Sequence, residues 1–336
     1  MKKLLPILFV IAIAFSSCKT SSVGIDVLKP AEINISGNYK KITTINRSLP
    51  GKGSKGGNFT EGLFSGEGIH QDRNASYNCV NNFAVTVNEA PKYLVNFSED
   101  FEIAGAGSDK WPIPIPWDTV KKITDYYNTD ILIALETFDS DTRTWSKTRD
   151  DDDGTEYIEG IEVVINAGWR IYDPYTEKII DQNSFIDRKI WEKKADTQTK
   201  AKKLTPTKRQ AVDQGGAFAG YMYAKRISPT WAKEYRIYFR TNNEQMKIAH
   251  KHVKNNQWKE AYDIWTILSR DDNPKTAAYA LHNLAVYHEF EDNITMALKM
   301  AYQAYELFPN DHTANYINIL TGREAEINRL NEQLDN

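Results

Sequence analysis

Cysteine is nearly absent from this 336-residue chain, which carries only Cys18 and Cys79. One possible pair cannot make a disulfide framework, so packed cores must hold the fold. Beyond Phe15 no apolar run reaches the ~18 residues of a bilayer-spanning helix. Excess charge of one sign is missing too. The 42 basic and 45 acidic residues leave a net charge of −3, which provides no field to gather nucleic acid. Histidine is sparse, six in all and scattered. His250 and His252 stand two apart on a predicted helix, about 200° around it, and cannot share a metal ion on one face. No G-x-S-x-G elbow, H-E-x-x-H or S-x-x-K pattern occurs. The glycine-rich stretch from Pro50 to Asn58 follows Gly56 with Gly57 and Asn58, where a phosphate loop needs Lys and a hydroxyl residue. It reads as a surface loop. Arg149 to Gly160 has calcium-loop acidity, but Arg149 and Gly160 occupy the first and twelfth ligand positions, so a solvated hairpin loop is expected. The sequence therefore predicts no enzyme, no metal and no cofactor.

Aromatic residues, by contrast, are plentiful: 18 Tyr, 13 Phe and 8 Trp point to well-packed globular domains. The first eighteen residues stand apart from the rest. Lys2 and Lys3 precede an apolar run from Leu4 to Phe15, then Ser16 and Ser17 lead to Cys18. That run suits a secretory leader and is too short to span a membrane. The arrangement resembles the lipobox of bacterial lipoproteins, with Phe15 where Leu is usual. The resemblance implies a signal peptide over 1–17, cleavage before Cys18, and acylation of Cys18. Residues 18–30 then read as the lipidated cysteine and a polar tether. Lys19-Thr20-Ser21-Ser22 in place of acidic residues favours the periplasmic side of the outer membrane.

An α/β domain is expected over 31–240. Alternation at Ile33 and Ile35, the run Lys41 to Ile45, and Tyr93 to Phe97 read as strands. Arg73 to Asn88 is compatible with a helix. The alternating prolines of Trp111 to Trp117 require an extended segment, either a docking strip or a stiff connector. Asp118 can cap a helix to Tyr127, and Ile131 to Phe138 has the continuous apolar character of a central strand. Ile161, Val163, Ile165, Ala167, Trp169 and Ile171 alternate strictly, with a turn at Asp173 to Glu177 and a return strand from Lys178. Thr205 and Pro206 open a helix to Arg226, whose Gly216 and Gly220 permit close packing on a sheet. Tyr235, Ile237 and Phe239 alternate in a last strand. The result is a mixed α/β sandwich. Thr129-Asp130-Ile131-Leu132-Ile133, and Trp169 to Asp173 with Thr176 and Glu177, resemble the periplasmic domain of the curli-secretion lipoprotein family.

From 241 to 336 the pattern turns helical. Thr241 and Glu244 have capping-box spacing. Trp258, Ala261, Tyr262, Trp265 and Leu268 form a helical stripe, and Asn273-Pro274 and Asp292-Asn293 separate further helices. Asn283-Leu284-Ala285, Asp292-Asn293-Ile294, Ala297, Ala301, Ala304, Leu307 and Pro309 resemble a tetratricopeptide (TPR) repeat. Ala249, Trp258 and Ala261 provide a degenerate copy 36 residues earlier. Asp311 is expected to cap a closing helix. The fold class is thus α+β, a mixed sandwich followed by an all-α array.

Taken whole, the chain resembles Gram-negative cell-envelope lipoproteins that join an α/β domain to tetratricopeptide-like helices. The resemblance implies a lipid-anchored module that binds a protein partner and no nucleic acid. The alternative is a carbohydrate- or peptidoglycan-binding protein that uses exposed aromatic rings. The face-lining positions of the first helices would be His282, Asn283 and Tyr287, with Lys247 and Lys251 as the nearest equivalents in the preceding repeat.

Overall fold

The structure, a computed structural model, describes residues 20–35, 39–49, 66–98, 103, 105, 111–151 and 154–335. The leader, Cys18 and the loop 50–58 lie outside the described residues, as do Asp152 and Asp153 of the acidic loop. In chain order the elements are β1 (Thr20–Lys29), β2 (Lys41–Asn46), α1 (Gly66–Asn88), β3 (Leu94–Phe97), α2 (Trp117–Tyr127), β4 (Ile131–Asp151), β5 (Gly154–Asp173) and β6 (Lys178–Ala195). There follow α3 (Gln198–Leu204), α4 (Lys208–Ile227), β7 (Thr230–Phe239), α5 (Glu244–Lys254), α6 (Trp258–Leu268), α7 (Pro274–Phe290), α8 (Ile294–Leu307) and α9 (Asp311–Leu334). The architecture is mixed α/β, sheet-rich at first and helical towards the C-terminus. Two compact units divide it: Leu28–Trp231 with Ile327–Asn336, and Met1–Val27 with Ala232–Glu326.

The first unit is built on a five-stranded sheet of order β3-β2-β4-β5-β6, parallel across β3, β2 and β4 and antiparallel from β4 to β6. The strict alternation of β5 puts Val163, Ile165, Ala167, Trp169 and Ile171 under α1 and α4, together with Ile131, Ile133 and Leu135 of β4. The opposite face carries Ile45, Leu132, Ala134 and Tyr172 beneath Val120 and Ile123 of α2. Glycine decides how closely α1 and α4 meet. A Cβ at Gly216 would lie 2.2 Å from the Ala75 carbonyl oxygen, and one at Gly220 2.0 Å from that of Cys79. These two glycines therefore serve the contact between helices. Gly215 is the one that meets the sheet, at Val163.

Several local expectations change for physical reasons. The expected helix to Arg226 forms as α4, but Thr207 opens it in a capping box with Gln210, while Thr205 closes the separate helix α3 before it. Asp118 lies in the first turn of α2 and does not cap it. Asn243, not Thr241, caps α5, accepting from the amides of Gln245 and Met246. Asn310 accepts from the Thr313 amide in the position expected of Asp311. No strand forms at Ile33 and Ile35.

The expected tether is the largest change. Thr20–Lys29 is a strand, paired with β7 in a two-stranded sheet. Val23, Ile25 and Val27 alternate within it, and Ile25 and Val27 are buried. From Ala232 onward β7 clusters with the helical unit. In the second unit α5 to α8 follow one another as antiparallel neighbours with short turns, and Ala249, Ala261, Ala285, Ala297, Ala301 and Ala304 are all buried. A methyl group at each of these positions lets helix backbones approach closely.

Candidate functional site

Two buried polar clusters and one open aromatic surface gather the chemistry-bearing side chains. The first cluster forms in the sheet unit where β4 slips register between Leu135 and Thr137. The extra residue is Glu136, whose side chain is 0% exposed. It accepts from Arg47 Nη1 at 2.7 Å and from the Tyr172 hydroxyl, with Arg170 Nη1 3.6 Å away. Each arginine also fastens the proline segment: Arg47 donates to the Ile113 carbonyl and Arg170 to that of Pro112, both at 2.8 Å. The Ile115 amide donates to Tyr172 Oη, and the Arg170 guanidinium lies 4.8 Å from the centre of the Trp111 ring. Burial, then the Glu136 charge, pushes the Tyr172 hydroxyl up to about 12. The cluster is a clamp that holds Trp111–Pro116 on the sheet.

The second cluster joins β7 to the helices of its own unit. Asn283, in the middle of α7, accepts from the Phe239 amide at 2.7 Å and donates to the Phe239 carbonyl at 2.8 Å. One side-chain amide thereby satisfies both backbone groups of an extended residue, as a neighbouring strand would. His282 Nε2 lies 3.0 Å from the Ile237 carbonyl and Nδ1 3.0 Å from Thr313 Oγ1. A carbonyl only accepts, so Nε2 bears the proton. Burial, with His312 nearby adding to it, lowers this imidazole to about 4, and it is neutral at pH 7. Arg236 reaches Glu289 through Nε and Nη2, both at 2.8 Å, and Tyr316 donates to the same carboxylate at 2.7 Å. Tyr238 meets His250 Nδ1 at 2.7 Å.

These contacts correct two site expectations. His282 and Asn283 are 1% and 0% exposed and line no open face. The β7 backbone needs a donor and acceptors inside the array, and polar side chains on α7 meet that need. In β7 Arg236 and Tyr238 point inward while Tyr235 and Ile237 are exposed, and Phe239 at the strand end is buried as well. Arg236, Glu289 and Tyr316 had no sequence signal beyond an arginine in a strand and a carboxylate on an apolar helix.

The other expected positions stay near solvent. Tyr287 is half-buried, Lys247 half-buried and Lys251 exposed. Tyr287 packs on Tyr262 with ring centres 4.6 Å apart, and His288 stands edge-on to Tyr262 at 5.9 Å. Trp258 and Phe290 stack at 4.5 Å on the same helix pair. The rings of α6 and α7 thus form two stacks: Trp258 is buried beneath an exposed Phe290, while Tyr262, Tyr287 and His288 are half-buried, with Lys259 Nζ 5.9 Å from the Tyr262 ring centre. Among the described residues no three His, Cys, Asp or Glu side chains could hold a metal, and no helix is long and apolar enough to cross a membrane.

Comparison with known proteins adds little chemistry. No curated protein matches the chain. Several solved structures are similar to it, among them three distant ones. The PelC dodecamer from Paraburkholderia phytofirmans is 9% identical, covering 62% of this chain and 99% of its own, with a TM-score of 0.25. A neuraminyllactose-binding hemagglutinin homologue from Helicobacter pylori is 11% identical over 68% and 95%, with a TM-score of 0.29. The hypothetical protein CT253 from Chlamydia trachomatis is 10% identical over 56% and 95%, at 0.21. Likeness at that level carries no argument about this chain. Family models match more of it. Residues 247–322 match a domain of unknown function, DUF6340. Residues 39–239, more than half of the chain, match a second domain of unknown function, and the protein belongs to that family, DUF8603.

Proposed function

We propose that this is a lipid-anchored lipoprotein of the cell envelope whose helical array docks a protein partner, and that it catalyses nothing. In this reading Cys18 carries the lipid, the chain sits on the periplasmic side of the outer membrane, and α5 to α8 form two tetratricopeptide-like repeats. The buried alanines support the repeat reading, because they sit where that pattern requires close helix contact. The curli-secretion-lipoprotein likeness of the sheet unit has two supports. Asp130 accepts from the Lys40 and Lys41 amides at 2.7 and 2.8 Å, and Asp173 folds the β5–β6 turn through the Tyr175 and Thr176 amides.

The observation that carries the reading is the group of partly exposed rings on α6 and α7, Tyr262, Tyr287, His288 and Phe290. Aromatic side chains concentrated on one solvent-facing helix pair are typical anchors of protein interfaces. Envelope crosslinking followed by capture tests the proposal. Tyr262→Ala with Tyr287→Ala should reduce the crosslinked partner about tenfold or more and leave the melting temperature nearly unchanged. Undiminished capture with a lowered melting temperature would place these rings in the core alone. The same exposed rings favour the second reading, stacking on sugars of peptidoglycan. Retention on purified sacculi, lost in that double variant, would select it.

A further inference from the structure

We propose that the lysine stripe of α5 is a lipid-contacting face, where Lys247, Lys251 and Lys254 meet the anionic headgroups of the membrane that holds the chain. The inference rests on the reading of Cys18 as lipidated and adds the surface that faces the bilayer.

Its geometry comes from β1. Strand β1 starts at Thr20, two residues after Cys18, so the chain between an acylated Cys18 and the strand can span less than ~10 Å. The pairing of β1 with β7 is antiparallel: Ser21 reaches the Tyr238 hydroxyl, a Cβ on Gly24 would meet Tyr235, and Asp26 faces Lys233 at 3.8 Å. The start of β1 therefore lies at the end of β7, where Arg240 leads into α5. Tyr238 ties this corner to the helix through its 2.7 Å contact with His250. Burial, together with the charges of Arg240 and Lys254, holds the His250 imidazole below its ordinary value, which places both cations beside the same corner.

The sequence of α5 does the rest. Lys247, Lys251 and Lys254 have i, i+4, i+7 spacing and share one stripe, while Met246, Ala249, His250 and Val253 are buried. Lys251 and Lys254 are exposed, and Ile248 is exposed beside them. The one carboxylate of the helix, Glu244, is paired with Lys247 at 2.6 Å, so the stripe keeps a positive excess. Basic residues next to a lipid anchor strengthen binding to an anionic surface by charge attraction. The occupant that fits is a phospholipid headgroup layer, since the anchor holds the stripe next to one.

Lysine footprinting on vesicles tests this. The full chain, purified from envelope in detergent, is reconstituted with phosphatidylcholine vesicles and with phosphatidylcholine–phosphatidylglycerol vesicles, then acetylated briefly and mapped by mass spectrometry. The expected result is flotation with both, with acetylation of Lys247, Lys251 and Lys254 slowed severalfold on the anionic vesicles only. High salt should abolish the slowing, and Lys275 should react equally in both. Flotation with both vesicles and equal acetylation of the stripe would overturn the headgroup contact and leave the anchor standing. Failure to float with the neutral vesicles would overturn the anchor, and the inference with it.

Discussion

Side-chain amides in this protein do work that strands usually do. Asn283 closes both hydrogen bonds of Phe239, and Gln333 does the same for Ala31, accepting from its amide at 2.8 Å and donating to its carbonyl at 3.0 Å. A polar residue on a helix was read from the sequence as solvent-facing; here the unmet groups of an extended segment draw it inward. Periodicity cannot show that need, because the segment concerned is 44 residues away. His282 makes the consequence measurable. Its folded value of about 4 is below the ordinary 6.5, so the folded chain refuses a proton that the unfolded chain accepts. The stability tied to this group is therefore full above pH 6.5 and falls as pH drops towards 4, by on the order of 2–3 kcal/mol. Asp72 and Asp187, which burial raises to about 6, act in the opposite direction over the same range. The informative quantity is thus the difference between wild type and His282→Gln in denaturant melts from pH 7 to pH 4. The variant should be less stable at pH 7 and show a shallower loss with acid. Parallel pH curves would mean that His282 is not buried neutral in solution.

At the scale of elements, the readable parts were those with strict periodicity. The β5 strand, the β5–β6 turn, α2, and the alanine positions of α6 to α8 all follow from residue spacing. The distal halves of β4 and β5 did not. From Asp139 to Lys147 polar residues fall on both faces, and the ladder simply continues a hairpin begun in the core. Strand β1 was hidden by its hydroxyl and glycine content, although Val23, Ile25 and Val27 alternate. Glu136 was legible only as one carboxylate in an apolar run, and its partners Arg47 and Arg170 are distant in sequence. The glycines of α4 were noticed for the right property and given the wrong neighbour. Gly220→Ala tests that contact, because its methyl would sit 2.0 Å from the Cys79 carbonyl oxygen and push α1 from α4. A loss of roughly 2–3 kcal/mol is expected in chemical unfolding. Gly322→Ala in α9 meets nothing within 4 Å and should be neutral or stabilising by up to ~1 kcal/mol. Equal effects from the two substitutions would contradict close packing of α1 and α4.

On the scale of the whole molecule, buried charges in both units hold segments in place. Glu136 fastens Trp111–Pro116, and Glu289 fastens β7 through Arg236. What remains for recognition is surface: the rings of α6 and α7 and the lysines of α5. That division makes sense for a protein working at a membrane only if Cys18 is acylated. The direct measurement is intact-mass and N-terminal peptide spectrometry on the protein extracted from envelope, with detergent phase partitioning of the same sample. The account predicts a mature chain that begins at Cys18, carries acyl mass on that residue and enters the detergent phase, with Cys18→Ala left uncleaved or soluble. A mature chain with an unmodified Cys18, or a Cys18→Ala protein that is processed and retained as before, would contradict it.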